Sequence, residues 1–137
     1  MRLAAQTTIG KRLPVEDLQQ LFAQQQVRLA ICFGSYATGE THAKSDIDIA
    51  VELDRLEPGD KGYNDRFFEM YSAVTNLLGT DDVDLIDMHS VSGSLARAIF
   101  TNGTLIYGEP DRVEHLREQL VPSEDERPPR ERLDAAI

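Results

Sequence analysis

Apolar and polar residues alternate in one stretch of this chain and recur at helical spacing in others. From Asp46 the chain runs D-I-D-I-A-V-E-L: Ile47, Ile49, Val51 and Leu53 share one parity, and Asp46, Asp48, Ala50 and Glu52 share the other. Successive side chains of a strand point to opposite faces, so this pattern predicts a half-buried strand. Val27 to Phe33 (V-R-L-A-I-C-F) is nearly all apolar, with Arg28 near its start, and reads as a buried strand. Val83 to Met88 (V-D-L-I-D-M) predicts a third strand, with Val83, Leu85 and Asp87 on one face and Asp84, Ile86 and Met88 on the other. Thr104 to Tyr107 predicts a short fourth.

Helical spacing fills the intervals. Val15, Leu18, Leu21 and Phe22 form one stripe; Pro14 fits the first helical position, and Glu16 and Asp17 suit the electropositive start. The run Gln24-Gln25-Gln26 forms the exposed end of that helix. Glu57-Pro58-Gly59-Asp60 is a connector. A second helix starts near Tyr63 or Asn64; Phe67, Met70, Tyr71, Val74, Leu77 and Leu78 give it a wide core-packing face, and Gly79 lies just past its end. Ser90 to Ser94 offers several N-caps, after which Leu95, Ala98 and Ile99 line a short helix ended by Asn102-Gly103. Pro110-Asp111 followed by Glu114 opens a last helix striped by Val113, Leu116 and Leu120. Three segments follow: a loose arm over 1–13, a folded unit over 14–120, and a charged, Pro-containing tail over 121–137 that is disordered alone or folds onto a partner.

Length and composition bound this picture. The 137 residues suit one domain, and 41% apolar residues suffice for a core. A net charge of −10 argues against direct nucleic-acid binding and suits a basic protein partner. Cys32 is the only cysteine, which excludes an internal disulfide; its place in the buried strand makes it a small core residue. The opening residues lack the apolar core of a signal peptide and no segment is long enough to span a membrane, so a soluble cytoplasmic protein is expected. There is no internal repeat.

Candidate chemistry concentrates between Gly34 and Val51, GSYATGETHAKSDIDIAV. The first strand ends abruptly at Gly34-Ser35. Glycine lets the backbone approach a ligand closely, and free N–H groups beside a serine hydroxyl suit a phosphate. Ten residues later come Asp46 and Asp48. Carboxylates two apart on a strand lie roughly 6.5–7 Å apart and repel by about 2.4 kcal/mol at an effective dielectric near 20. A divalent cation turns that repulsion into attraction, and magnesium prefers carboxylate oxygens combined with substrate phosphates. If the third strand lies beside this one, Asp84 comes within reach as a third carboxylate, able to take the acceptor proton. Asp81, Asp82 and Asp87 are its rivals: the first two fall in the preceding turn, and Asp87 has the wrong parity. Alone, a Gly-Ser pair is a turn and a D-x-D is a solvated strand edge; the combination at this spacing is what points to a nucleotide. His42, Lys44 and Arg97 are read as solvated, His115 as exposed, and His89 as a weak neighbour of the site.

The pattern G-S, ten residues, D-x-D resembles the signature of the nucleotidyltransferase superfamily that includes polymerase beta and kanamycin nucleotidyltransferase. The similarity continues through VDLIDMHSVSGSLARAIFTNGTLIYGEPDR, which looks like the downstream half of the minimal nucleotidyltransferases, the antitoxin partners of HEPN-domain toxins. The fold this implies is α+β (α/β), the polymerase beta-like nucleotidyltransferase fold: a small mixed sheet flanked by helices. The resemblance matches Gly34 and Ser35 to the family's phosphate-gripping pair, Asp46 and Asp48 to its metal-binding pair, and Asp84 to its third carboxylate. The implied reaction is magnesium-dependent transfer of AMP from ATP to a tyrosine hydroxyl of a cognate HEPN ribonuclease toxin, within a hetero-oligomer. The alternatives are an antitoxin acting by binding alone, and a nucleotidyltransferase acting on a small molecule. Thr38 stands where many relatives carry an arginine that would clamp the triphosphate.

Overall fold

The computed structural model describes residues 1–4, 13–34, 46–91 and 93–121. The sequence's periodicities map onto strands β1 (Arg2–Leu3), β2 (Val27–Phe33), β3 (Ile47–Leu53), β4 (Val83–Asp87) and β5 (Thr104–Tyr107). The helices are α1 (Val15–Gln24), α2 (Tyr63–Leu78), α3 (Gly93–Asn102) and α4 (Pro110–Leu120), with a 3-10 turn over Met88–Ser90. The strands form one mixed sheet in the order β1-β5-β2-β3-β4. β2 runs antiparallel to both β5 and β3, whereas β4 is parallel to β3. A parallel neighbour needs a crossover, and α2 supplies it.

Helices cover both faces. On one, α1 and α2 bury Leu18, Phe22, Met70 and Val74 against Cys32, Ile49 and Val51. On the other, α3 and α4 bury Ile99, Phe100 and Leu116 against Leu29, Ile31 and Ala50. The expected half-buried β3 is therefore a strand covered on both sides: Ala50 and Glu52, on its polar parity, are buried too. Alternation showed one apolar face; the small Ala50 lets the second helical layer close over the other.

Other expectations shift with packing. Arg2–Leu3 of the expected loose arm pair with Thr104 and Leu105 as a parallel edge strand, and Ala4 and Leu13 are buried. Two residues are too few to show alternation in the sequence. Pro14 sits at the N-cap of α1, one residue before the helix. Leu77 is exposed, as are Leu95 and Ala98; the buried face of α3 is Ala96, Ile99 and Phe100. Gly103, just past the end of α3, lies closely against Ile31 and the Cys32 carbonyl of β2. Met88 leaves the strand for the 3-10 turn, which Asp87 caps by accepting the His89 N–H at 2.8 Å.

Gly103 accordingly yields a stability prediction. A Cβ there would overlap the Ile99 carbonyl oxygen and lie 2.5 Å from Ile31 Cγ2 and 3.3 Å from the Cys32 carbonyl oxygen. Gly103→Ala therefore pries α3 off β2 and lowers stability by about 2 kcal/mol. Urea unfolding at neutral pH checks this, and a change under about 0.5 kcal/mol would contradict the tight approach.

Candidate active site

The site grows from the end of β2. Gly34 has φ +73°, the left-handed region open to glycine at little cost. A Cβ at this position would overlap Asp48 Oδ2 and lie 3.4 Å from its Cγ. Both the turn and the Asp48 carboxylate thus require a residue with no side chain here. Ser35 lies outside the described residues, as do Thr38, His42 and Lys44.

Asp46 immediately precedes β3 and is exposed; Asp48 is half-buried within it. The antiparallel register sets Asp48 opposite Phe33, next to the Gly34 turn. The parallel register sets Asp48 beside Asp84. Neighbouring strands lie about 4.8 Å apart. Side chains directly across a parallel ladder share a face, so both carboxylates project on the α3/α4 side, at the end of the sheet where Asp84 remains exposed. Asp81 and Asp82 stay exposed in the turn before β4, where the Asp82 carbonyl accepts the Ile47 N–H at 3.0 Å. Asp87 points to the other face and is occupied: it accepts the Tyr63 hydroxyl at 2.7 Å and caps the 3-10 turn.

The electrostatics follow from this crowding. Burial holds the Asp48 carboxyl above the usual carboxylate range, and the charges of Asp84 and then Asp46 push it further. Burial, with the Asp48 charge added, pushes the Cys32 thiol up to about 12, so the sulfur stays protonated and unreactive. Carboxylates that repel one another in this way fit a hard cation, which takes oxygen donors. The described residues hold no finished cage of three or more such ligands; the register supplies a row of acids along the sheet end.

One functional cluster escaped the sequence reading. Glu52, on the same parity as Asp48 but at the far end of β3, accepts Arg112 Nε at 2.9 Å and Nη2 at 2.6 Å. His89 Nε2 lies 2.8 Å from the same carboxylate. Burial pushes Glu52 upward, but the hydrogen bonds and charges of Arg112 and His89 outweigh it and hold the carboxyl below its usual range. His89 is therefore tied to Glu52 rather than to the aspartates. A glutamate in a strand this apolar was the available signal; its partners come from elements 37 and 60 residues away. A cavity of about 830 Å³ beside these residues, lined by Arg28, Asp54, Tyr107 and Arg112, sits at the opposite end of the sheet from the aspartates. The like charges gather at the aspartates instead.

The chain is similar to known proteins. Residues 16–112 match the Polymerase beta, Nucleotidyltransferase family. The protein adenylyltransferase MntA of Shewanella oneidensis is 36% identical over 84 residues, which are 61% of this chain and 55% of MntA. The chain thus aligns with little more than half of that relative's length. A solved toxin–antitoxin structure with AMP-PNP contains a chain of similar fold, at 29% identity and a TM-score of 0.60, covering 78% of this chain and 92% of that one. A second, of a tri-AMPylated Shewanella oneidensis HEPN toxin in complex with MNT antitoxin, matches at 26% identity and a TM-score of 0.54, covering 79% and 90%. Among the described residues no helix is long and apolar enough to cross a membrane.

Proposed function

The chain belongs to the polymerase beta nucleotidyltransferase family, and we propose that it is an antitoxin that moves AMP from ATP to a tyrosine hydroxyl of a cognate HEPN ribonuclease toxin, silencing it. The observation that carries the reading is the Asp48–Asp84 register beside the Gly34 turn. Similarity to MntA, and to chains in toxin–antitoxin complexes with AMP-PNP or with an AMPylated toxin, supports the substrate and the partner. Residues 14–120 are the catalytic unit in this reading, with the charged tail outside it.

In the mechanism, Asp46, Asp48 and Asp84 would hold magnesium, which would supply positive charge against the phosphates. Gly34 and Ser35 orient the outer phosphates by backbone N–H and hydroxyl. Asp84 accepts the proton of the tyrosine hydroxyl as the oxygen bonds to the α-phosphorus. The bond from that phosphorus to the bridging oxygen breaks, and pyrophosphate carries the electron pair away. Positioning does most of the work, because the strands fix the acids before substrate arrives. Thr38, in place of a clamping arginine, leaves the nucleotide preference to the remaining contacts.

A second reading, neutralisation by contact alone, draws on the net charge of −10, which suits a basic ribonuclease. One experiment separates the two. Incubated with labelled ATP and magnesium, the chain labels its HEPN partner, and Asp46→Asn labels it at least about a hundredfold more slowly. An unlabelled partner, or equal labelling by Asp46→Asn, overturns the enzymatic reading.

A further inference from the structure

The strand that carries Asp84 is also the open edge of the sheet. Among the described residues, β4 ends the strand order and pairs only with β3. The Ile47 N–H bonds to the Asp82 carbonyl at 3.0 Å. In a parallel ladder alternate residues turn both backbone groups to the same side, so Asp84 and Ile86 bond back to β3. Val83 and Leu85 then direct their N–H and C=O groups away from the sheet. Such an edge is a template for another strand.

Two further features say what the edge would take. First, Phe68 of α2 is 69% exposed. Tyr63, Met70 and Val74 mark the side of α2 that faces the sheet, and Arg66 Nη2 reaches the Gln25 carbonyl at the end of α1, at 3.0 Å. At about 100° per residue, Phe68 falls nearly opposite Arg66, on the flank turned from α1 toward the β4 edge. Second, Asp81, Asp82 and Asp84 are all exposed along this edge. Like charges repel a second copy of the same edge and favour a basic strand.

We propose that the outer edge of β4 receives an extended, basic segment of the protein substrate as an added strand. The acceptor side chain then lies on the face shared by Asp84 and Asp48, and its sequence neighbour lies on the opposite face beneath Phe68, because side chains alternate. The occupant and its acceptor side chain rest on the adenylyl-transfer reading; the open edge itself does not.

The test is amide exchange in the intact chain, alone and saturated with its HEPN partner. The Val83 and Leu85 amides slow at least about tenfold in the complex, because strand addition ties up their outward N–H groups. Two variants act on the same edge. Val83→Pro removes an outward N–H at the first residue of a strand, where proline is tolerated. Phe68→Ala truncates an exposed anchor. Each raises the KM for the HEPN protein about tenfold and leaves the KM for ATP unchanged. If Val83→Pro does not fold, Phe68→Ala and the exchange data decide. No slowing of these amides in the complex, wild-type KM in the folded variants, or no association of the two proteins overturns the docking edge. Slowing without AMP transfer by the unmodified chain leaves the docking edge standing and removes the adenylylation reading instead.

Discussion

Asp48→Asn cuts the proposed AMP transfer by about a thousandfold and at the same time makes the magnesium-free protein more stable. Both effects have one cause. Burial and the charges of Asp84 and Asp46 raise the Asp48 carboxyl in the folded chain. The folded state therefore holds this proton more tightly than the unfolded state does. The penalty is absent at low pH, where Asp48 is protonated in both states. It sets in as pH rises past the unfolded value near 3.9, is complete above the folded value, and persists at neutral pH. Asparagine keeps the shape and removes the charge. After discounting for solvent screening the gain is on the order of 1 kcal/mol, a rise of roughly 3 °C in melting temperature. Magnesium in the proposed site reverses the order, since the wild-type row of acids would gain a cation that the variant holds poorly. Thermal unfolding at pH 7 with and without magnesium reads both arms. A variant that melts below the wild type without metal, or that transfers AMP normally, contradicts this account.

Arg112→Ala has the largest expected effect on stability. The Glu52 side chain is 5% exposed, and Arg112 makes two of its three side-chain hydrogen bonds. Removing one partner of a buried pair strands a charge and costs about 3 kcal/mol, or roughly 8 °C in melting temperature. In the wild type Glu52 is held below its usual range, so the stability it contributes is present above the unfolded value near 4.3 and is lost as pH falls through the folded value. Without Arg112 the carboxyl rises, and the acid-side loss begins at higher pH. Replacing Glu52 and Arg112 together by leucine recovers most of the stability at pH 7, since well-packed apolar residues need no partner. Urea unfolding at pH 7 and pH 4 checks the pair. A loss below about 1 kcal/mol for Arg112→Ala would show that His89 alone satisfies the carboxylate.

The aspartates and the buried network were not equally legible. Asp46 and Asp48 stand out because two charges interrupt an apolar strand in a fixed local spacing. Gly34 stands out because a strand of core residues stops there. Asp84 is weaker: its spacing within V-D-L-I-D-M shows which face it shares, but only the parallel register places it beside Asp48. Glu52 read as the polar side of an alternating strand, and its burial depends on α4, whose thin stripe gave no hint of which strand Arg112 would reach. The α3 face was misphased for a similar reason: Leu95 is as apolar as Ile99, and only packing against distant strands shows that Ile99 is buried and Leu95 exposed.

By itself the sequence determined the four longer strands, the helices between them and the acids to watch, since each depends on the periodicity or chemistry of residues close along the chain. Tertiary structure alone decided which strands are neighbours, that β3 is covered on both faces, and that Arg2–Leu3 join the sheet. Those outcomes depend on register between distant segments. A strand's side-chain period of two tells which residues share a face, but not which strand lies alongside.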